Sequence, residues 1–229
     1  MDKSLVKIES DEFQDTILRA INHHKGPYFI EVLGINYWMF EDCFNPAYAK
    51  ASLLLMQNQG VKKGDTVLVQ FSGPGLDARL AYENGAFKVV SVEKFEIPYL
   101  CAKYNTLVSG LNHKIDNRIG DLFDPIDKNE KFDLILANPP FRKMIPKGKV
   151  ESAIRDNNYN TLKRFWSQVS SHLKSNGRVR AVFADVGDMK LFEELAKKNG
   201  FRSKIIATSK YASSVRIKVF EFKIEFKKK

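Results

Sequence analysis

The sequence contains little cysteine or histidine and has no long uninterrupted apolar run. Its only two cysteines, Cys43 and Cys101, are too few for a disulfide scaffold, so we expect free thiols in a reducing compartment. The four histidines form no metal-ligand spacing with them, and no metal site is predicted. No stretch approaches the roughly 18 apolar residues of a transmembrane helix, and the first residues carry acids instead of a signal-peptide core. These features predict a cytoplasmic protein that does not span a membrane.

The composition is nevertheless that of a folded chain with an excess of positive charge. Apolar residues make up 44% of the 229 residues and aromatic residues 12%, which excludes disorder along the whole length. This length fits one domain with a small extension. Lysine and arginine number 37 against 27 acidic residues, for a formal net charge of +10. Such a charge favours encounter with a polyanion and carries no information about the fold.

Strand and helix patterns alternate along most of the chain. We predict strands at 66–71, 88–92, 115–119, 132–137, 178–184, 203–208 and 214–225, and helices at 46–59, 76–84, 98–110, 157–174 and 188–199. This alternation predicts an α/β fold, a Rossmann-like, doubly wound, mostly parallel seven-stranded sheet. The last two strands have no helix between them. The last strand is therefore predicted to be antiparallel, because a parallel crossover needs a dozen or more residues.

The N-terminal part has a different pattern from the rest. Residues 11–24 predict a short amphipathic helix, and residues 27–44 alternate like a hairpin or paired extended segments. We therefore divide the chain into an extension at 1–43, which is a candidate lid, and a domain at 44–229. Within that domain, the basic and glycine- and proline-broken segment 142–157 predicts a mobile loop.

A glycine turn follows the first strand of the predicted sheet, where a doubly wound fold binds a nucleotide-like cofactor. Gly73 and Gly75 would allow the backbone to approach such a ligand closely. Glu93 ends the second strand, where a carboxylate can accept hydrogen bonds from both ribose hydroxyls. Taken alone, the glycines could serve any tight strand-to-helix turn, and Glu93 could be a surface acid. Together, the glycine turn and Glu93 predict a cofactor that contains adenosine.

The predicted strand 132–137 ends in the segment Asn138-Pro139-Pro140-Phe141, at the edge where ligands of such sheets bind. The prolines restrict φ and carry no N–H. The side-chain oxygen of Asn138 and the carbonyl of Pro139 can then accept both hydrogens of one NH₂ group. Phe141 would offer its ring face to the planar group that bears this amine. The pattern predicts a site that orients an amine, amide or aromatic amine for attack, and its alternative is a structural strand stop.

These motifs, with the segment Gly120-Asp121-Leu122-Phe123 between them, resemble the class I S-adenosylmethionine-dependent methyltransferases that carry an NPPF or NPPY motif. The resemblance covers about residues 44–224 and implies the doubly wound fold. It also implies S-adenosylmethionine as cofactor. Members of this family methylate amino groups of adenine or guanine, a glutamine amide of release factors, or amines of small molecules.

The resemblance implies a role for each matching residue on the cofactor side. By position, Gly73 and Gly75 would line the methionine and ribose side of the cofactor, and Glu93 would bind the ribose hydroxyls. Asp121 and the backbone of Leu122 would contact the adenine.

On the acceptor side, the resemblance implies that Asn138 and Pro139 hold the amine and that Phe141 stacks on it. Asn138 would also border the cofactor. The neighbouring residues that we take as substrate-binding candidates are Pro140, Arg142 and Lys143.

The first motif departs from the family pattern, acid-x-Gly-x-Gly-x-Gly. The matching stretch is Val69-Gln70-Phe71-Ser72-Gly73-Pro74-Gly75, so Val69 replaces the acid and Phe71 replaces the first glycine. In the family, the acid helps to hold the ammonium group of the cofactor. Either Gln70 or Asp77, both close in sequence, takes over this role, or cofactor binding is weakened.

We therefore predict an S-adenosylmethionine-dependent N-methyltransferase that acts on an amino or amide nitrogen. The basic segment 142–149 follows the acceptor motif and favours a nucleic-acid base, RNA in particular. A small-molecule amine or a protein glutamine is the alternative acceptor, and the oligomeric state stays open. Two other classes are weighed as well. Gly73–Ala78 matches the G-x-G-x-x-A pattern of nicotinamide-dependent oxidoreductases but leaves 138–141 unexplained, and the altered first motif suits a non-catalytic binding module.

Overall fold

A computed structural model of the protein describes residues 24–211 and 215–225. In this part of the chain the strands are β1 (Tyr28–Val32), β2 (Ile35–Met39), β3 (Thr66–Gln70), β4 (Lys88–Glu93), β5 (Ile115–Ile119), β6 (Phe132–Ala137), β7 (Arg142–Lys143), β8 (Arg155–Asp156), β9 (Leu173–Ala184), β10 (Phe201–Tyr211) and β11 (Val215–Ile224). The α-helices are α1 (Lys50–Gln57), α2 (Leu76–Glu83), α3 (Glu96–Val108), α4 (Asn160–Gln168) and α5 (Met189–Lys198). Single 3₁₀ turns lie at Pro46–Tyr48, Glu151–Ala153, Asn157–Tyr159 and Val169–His172.

Seven of these strands form one sheet in the order β10-β11-β9-β6-β3-β4-β5. β11 runs antiparallel to both of its neighbours, β9 and β10, and the other pairs are parallel. The predicted doubly wound, mostly parallel fold with an antiparallel last strand is confirmed. Because the strand order reverses between β3 and β6, the carboxyl ends of these two strands form the crevice where such folds bind ligands.

The central strands form where the sequence has short, nearly continuous apolar runs. The side chains of Val67, Leu68, Leu134 and Ile135 have no solvent exposure, as expected for strands covered on both faces by helices. One face carries a cluster of large aromatic side chains contributed by α4, α5, β9, β10 and β11: Phe165, Trp166, Phe183, Phe192, Phe201, Phe220 and Phe222. This tightly packed layer gives the crevice a rigid base.

One strand boundary differs from the sequence prediction. β9 begins at Leu173, inside the helix predicted at 157–174, and runs through Asn176-Gly177, which the sequence suggests as a turn. The register between β6 and β9 shifts beside Gly177. A Cβ at Gly177 would lie 2.9 Å from the carbonyl oxygens of Lys174 and Phe132. Gly177 therefore allows β9 to pack closely against β6 where their register shifts, and it does not end a strand or helix.

The pattern at 27–44 forms the hairpin that it predicts, with β1 antiparallel to β2. Its turn residues Leu33 and Gly34 both have positive φ, as a two-residue primed turn requires. Asn105 of α3 accepts a hydrogen bond from the backbone N–H of Trp38 and donates one to its carbonyl oxygen. The hairpin is thus docked on the sheet's helices. The division at residue 43 stays a prediction, and the helix predicted at 11–24 lies almost wholly outside the described residues.

The segment 142–157 is more regular than the mobile loop that its composition predicts. Its two ends pair in parallel, with Arg142 opposite Arg155 and Lys143 opposite Asp156. The Asp156 carboxylate also accepts hydrogen bonds from the backbone N–H groups of Thr161 and Leu162 at the start of α4. Composition missed this arrangement because the pairing joins residues 13 positions apart.

Within the described ranges, no helix has both the length and the apolar character needed to cross a bilayer.

Candidate functional site

A cavity of about 390 Å³ opens at the carboxyl ends of β3, β4 and β6, within the ~300–1,000 Å³ range usual for small-molecule sites. The turn after β3, the end of β4 and the loop after β5 form one wall, α1 covers a second side, and the segment before α4 forms a third. The cavity lining includes Ser52, Phe71, Ser72, Gly73, Asp77, Glu93, Asp121, Leu122, Asn138, Pro140, Lys149 and Arg164. The predicted cofactor turn and acceptor motif therefore meet in one cavity.

The two glycines of the turn have different positions. Gly73 lines the cavity, and a Cβ there would meet no other atom within 4 Å. Gly75 lies outside the lining, where a Cβ would approach Ala102 of α3 to 3.0 Å. Both have positive φ, which glycine adopts without steric cost. Gly73 is thus placed to border a ligand, whereas Gly75 lets α2 and α3 pack closely.

Phe71 keeps the backbone shape expected of the glycine that it replaces. Its φ of 59° lies in the left-handed region, which costs a non-glycine residue about 1–2 kcal/mol. Its ring packs on Phe165 of the aromatic layer, with ring centroids 5.9 Å apart. The altered motif therefore retains the turn conformation, and aromatic packing offsets the strain.

Ser72 presents an unpaired polar atom at the same turn. The residue is only 5% exposed, and among the described residues its Oγ has no hydrogen-bond partner. A buried hydroxyl without a partner is destabilising, and such groups normally find one. Ser72 lines the cavity, but its Oγ is itself shielded from solvent, so it would reach a polar ligand group there only after rotation about the Cα–Cβ bond.

Glu93 connects the end of β4 to the glycine turn. Its Oε2 accepts a hydrogen bond from the backbone N–H of Gly73 at 2.8 Å, and its Oε1 accepts one from Phe95 at 2.9 Å. Burial raises the pKa of this carboxyl, although the backbone donors oppose the effect. Since a carboxylate offers about four acceptor positions, two remain for ribose hydroxyls. That role stays a prediction, and the geometry accommodates it.

Asp121 and Leu122 form the wall next to Glu93. Burial alone would raise the pKa of Asp121, but hydrogen bonds from Arg164 and Lys94 outweigh it and lower the pKa. Both cations contact the same carboxylate oxygen, at 2.9 Å and 3.1 Å. Leu122 has positive φ, and its carbonyl oxygen accepts a hydrogen bond from the buried side chain of Gln70. The loop is held rigidly where the resemblance places the adenine.

Asn138 lines the cavity at the end of β6 and is half-buried. Its Nδ2 donates a hydrogen bond to Ser52 Oγ of α1 at 2.9 Å. Ser52 is 2% exposed. With the amide nitrogen held in this way, the side-chain oxygen of Asn138 is left for a ligand. Sequence reasoning missed Ser52, whose only signal is a lone hydroxyl on an otherwise apolar helix face.

The rest of the acceptor motif is divided between the cavity and the core. Pro140 lines the cavity, whereas Pro139 is buried outside the lining. The ring of Phe141 also lies outside the lining and packs edge-on against Phe183, with centroids 5.2 Å apart. A Cβ at Gly187 would overlap the Phe141 carbonyl oxygen, so the backbone there is tightly enclosed. The ring of Phe141 therefore packs in the core and does not line the cavity. Its stacking on an acceptor stays a prediction.

Two predicted substrate-binding cations lie outside the cavity lining. Arg142 is 6% exposed, and burial lowers the pKa of its guanidinium. Arg142 is therefore buried where the two ends of segment 142–157 pair, and its charge is not exposed to solvent. Lys143 is exposed beside it, as are Lys147 and Lys149 further along. Of these lysines only Lys149 lines the cavity, together with Arg164, whose charge is paired with Asp121.

A comparison with protein families identifies the class of protein. A family model described as N-6 DNA Methylase matches residues 34–217, well over half of the chain. A comparison with curated proteins finds no match. Family membership favours the methyltransferase over the oxidoreductase and the non-catalytic module.

Solved structures share the fold at low sequence identity. A T. thermophilus 16S rRNA N2 G1207 methyltransferase in complex with AdoMet and guanosine has a TM-score of 0.63 and 22% identity, over 87% of this chain and 50% of that one. An M. jannaschii tRNA m1G37 methyltransferase has a TM-score of 0.62 and 18% identity, over 90% and 56%. A ribosomal protein L11 methylase from Lactobacillus delbrueckii subsp. bulgaricus has a TM-score of 0.55 and 21% identity, over 76% and 77%.

At these identities the likeness shows the fold, and the chain spans only about half the length of the two RNA methyltransferases. The methyl donor follows from the family. The chain belongs to the N-6 DNA methylase family and is a class I S-adenosylmethionine-dependent methyltransferase.

Proposed function

We propose that this protein methylates an exocyclic amino nitrogen of a nucleic-acid base, with RNA as the favoured nucleic acid. One observation carries the proposal. The side-chain oxygen of Asn138 has no hydrogen-bond donor among the described residues and lies in the same cavity as the turn that would hold the cofactor, and Lys149 lines that cavity beside the exposed Lys143 and Lys147.

Bound S-adenosylmethionine supplies a methyl group activated by a sulfonium. Asn138 would accept one hydrogen of the acceptor NH₂ through its side-chain oxygen. The Pro139 carbonyl is the predicted second acceptor, but Pro139 lies outside the cavity lining, so the proposed step rests on Asn138. The Asn138 contact would oppose delocalisation of the nitrogen lone pair into the ring and orient it towards the methyl carbon. Holding the partners in this geometry can supply about 7–11 kcal/mol of the barrier. On taking the methyl group, the acceptor nitrogen would become cationic while the donor is left as a neutral thioether, and the nitrogen would then lose its proton to water.

The surroundings of the cavity support a base as the acceptor. Lys143, Lys147 and Lys149 are exposed along the segment after Asn138, where they can contact phosphates. A base must leave its stack to bring its amino group to Asn138. RNA loops and ends offer unstacked bases at little cost, which favours RNA over duplex DNA. Among the fold neighbours, two are named as methyltransferases of rRNA and tRNA, while the family name makes DNA the second nucleic acid to test.

The acceptor class is tested by incubating the protein with methyl-labelled cofactor and separate pools of RNA, single-stranded DNA, duplex DNA, protein and metabolites. We expect label in RNA, recovered after digestion as a nucleoside methylated on its amino group and identified by mass spectrometry. Label in DNA alone would reassign the nucleic acid. Label confined to protein or to small amines would contradict the proposal.

Replacing Lys147 and Lys149 together by glutamine is expected to raise KM for RNA several-fold, with kcat nearly unchanged. Each lost phosphate contact should lower the salt slope of binding by about 1. Lys197→Gln with Lys198→Gln is a matched control, because these exposed lysines lie at the end of α5, which leads from the carboxyl end of β9 to the start of β10 and so ends near the edge of the sheet opposite the cavity. Equal salt slopes of RNA binding for the two double variants would show that Lys147 and Lys149 do not contact the phosphates.

Replacing Ser52 by alanine is expected to lower kcat about 3- to 10-fold, the value of one hydrogen bond of roughly 0.5–1.5 kcal/mol. The variant leaves Asn138 in place but frees its amide to rotate, and cofactor affinity should change less than threefold. A double-mutant cycle separates positioning from packing. If Ser52 acts through Asn138, the Asn138→Ala protein loses nothing further on adding Ser52→Ala. Additive losses would show a separate role for Ser52.

A further inference from the structure

The first motif leaves the ammonium group of the cofactor without its usual acid. Val69, at that position, is buried among apolar neighbours that include Ala78 and Leu136. Gln70 is also buried, and its amide nitrogen is engaged by the Leu122 carbonyl oxygen. Neither residue offers a negative charge to the cavity.

Asp77 supplies a carboxylate a few residues further on. It is the second residue of α2, is buried, and lines the cavity together with Ser72 and Gly73. Among the described residues its carboxylate is contacted by one donor, Gln59 Nε2, at 3.2 Å, and the same nitrogen bonds the Asp77 carbonyl oxygen at 2.9 Å. No cationic side chain of the described chain pairs with it. A buried carboxylate with one amide donor and no cation is costly, and its place in the first turn of α2 offsets only part of that cost, so its presence in a ligand cavity suits a bound cation.

The charged and titratable groups near Asp77 have other partners and do not pair with its carboxylate. Tyr37 of β2 donates its hydroxyl to the Gly75 carbonyl oxygen, Arg79 and Glu83 pair with each other along α2, and Glu93 is held by backbone donors. Burial raises the pKa of Asp77 to about 6, with the Gln59 hydrogen bond opposing it. Ser72, whose buried hydroxyl has no partner among the described residues, lies in the same lining and would be a second polar group beside Asp77 after rotation about its Cα–Cβ bond.

We propose that Asp77 binds the α-ammonium group of the methionine part of S-adenosylmethionine, in place of the acid that is absent at Val69. This inference rests on the assigned cofactor and not on the acceptor. It makes Asp77 a cofactor-binding residue on α2, across the glycine turn from the family's usual position at the end of β3.

Calorimetry on the full chain with two ligands tests the assignment. S-adenosylhomocysteine carries the amino-acid group, whereas 5′-methylthioadenosine lacks it and retains the adenosine. We expect Asp77→Asn to weaken S-adenosylhomocysteine binding at least 10-fold at pH 7.5 and to change methylthioadenosine binding less than twofold. Glu93→Gln is the matched control, because it should weaken both ligands by similar factors.

Acid pH gives a second measurement on the same proteins. Since binding needs the ionised carboxylate, the affinity ratio of the two ligands should fall in the wild type as pH drops below about 6 and stay flat in Asp77→Asn. Titration of Glu93 affects both ligands and cancels in this ratio.

Retained methylthioadenosine binding shows that the variant is folded. Unchanged binding of both ligands by Asp77→Asn, or parallel loss of both, would overturn the proposal. Failure of the wild type to bind either ligand would instead overturn the cofactor assignment itself.

Discussion

Replacing Asn138 by alanine is expected to lower kcat about 100- to 1,000-fold while the affinity for S-adenosylhomocysteine changes less than threefold. Removing one preorganised hydrogen-bonding group from a transition state typically costs about 2.7–4 kcal/mol. The hydrogen bond from the acceptor amine to the Asn138 oxygen would be strongest when the amine nitrogen becomes cationic in the transition state. Losing this bond should therefore lower kcat. Single-turnover methylation at saturating cofactor measures this step directly.

Two further variants define what the Asn138 result means. Asn138→Asp retains an acceptor oxygen and should keep activity within about 10-fold of the wild type, since Ser52 can donate to the new carboxylate. Asn160→Ala removes an exposed amide that lines the same cavity and should alter KM more than kcat. An Asn138→Ala protein as fast as the wild type would end the proposed acceptor role of this motif.

Replacing Glu93 by glutamine should weaken S-adenosylhomocysteine and methylthioadenosine binding together, by about 30- to 150-fold. In glutamine, one of the two carboxylate oxygens is replaced by an NH₂ group, which would face the backbone N–H of either Gly73 or Phe95. The turn would shift, and charge-assisted bonds to the ribose, together worth about 2–3 kcal/mol, would be lost.

The pH dependence of this interaction has a definite sign. Because burial raises the pKa of Glu93, the ionised form that accepts the ribose hydroxyls is depleted as pH falls towards that raised pKa. Affinity for both ligands should therefore weaken in acid for the wild type, and much less for Glu93→Gln. Calorimetry between pH 5 and 8 measures both effects. A variant that binds both ligands like the wild type would remove Glu93 from the cofactor site.

Local sequence predicted the strands correctly where a short, continuous apolar run forms the whole strand. β3 and β6 are short apolar runs that are buried on both faces, and their order predicted the sheet and the edge at which Asn138 lies. The Asn176-Gly177 pair misled because a glycine suited to a turn also suits a strand packed closely on its neighbour. The charge pattern of 142–157 similarly hid the burial of Arg142.

The motifs therefore sufficed to predict the class of protein, the seven-stranded sheet and the edge that carries the chemistry, because short runs encode buried strands and their ends. Contacts between distant residues required the folded chain. Ser52 contacts Asn138 across 86 positions, Phe141 packs against Phe183, and Asp77 is buried with no cationic partner among residues 24–211 and 215–225. Burial and pairing depend on how separate elements pack around one another, and no local pattern records that packing.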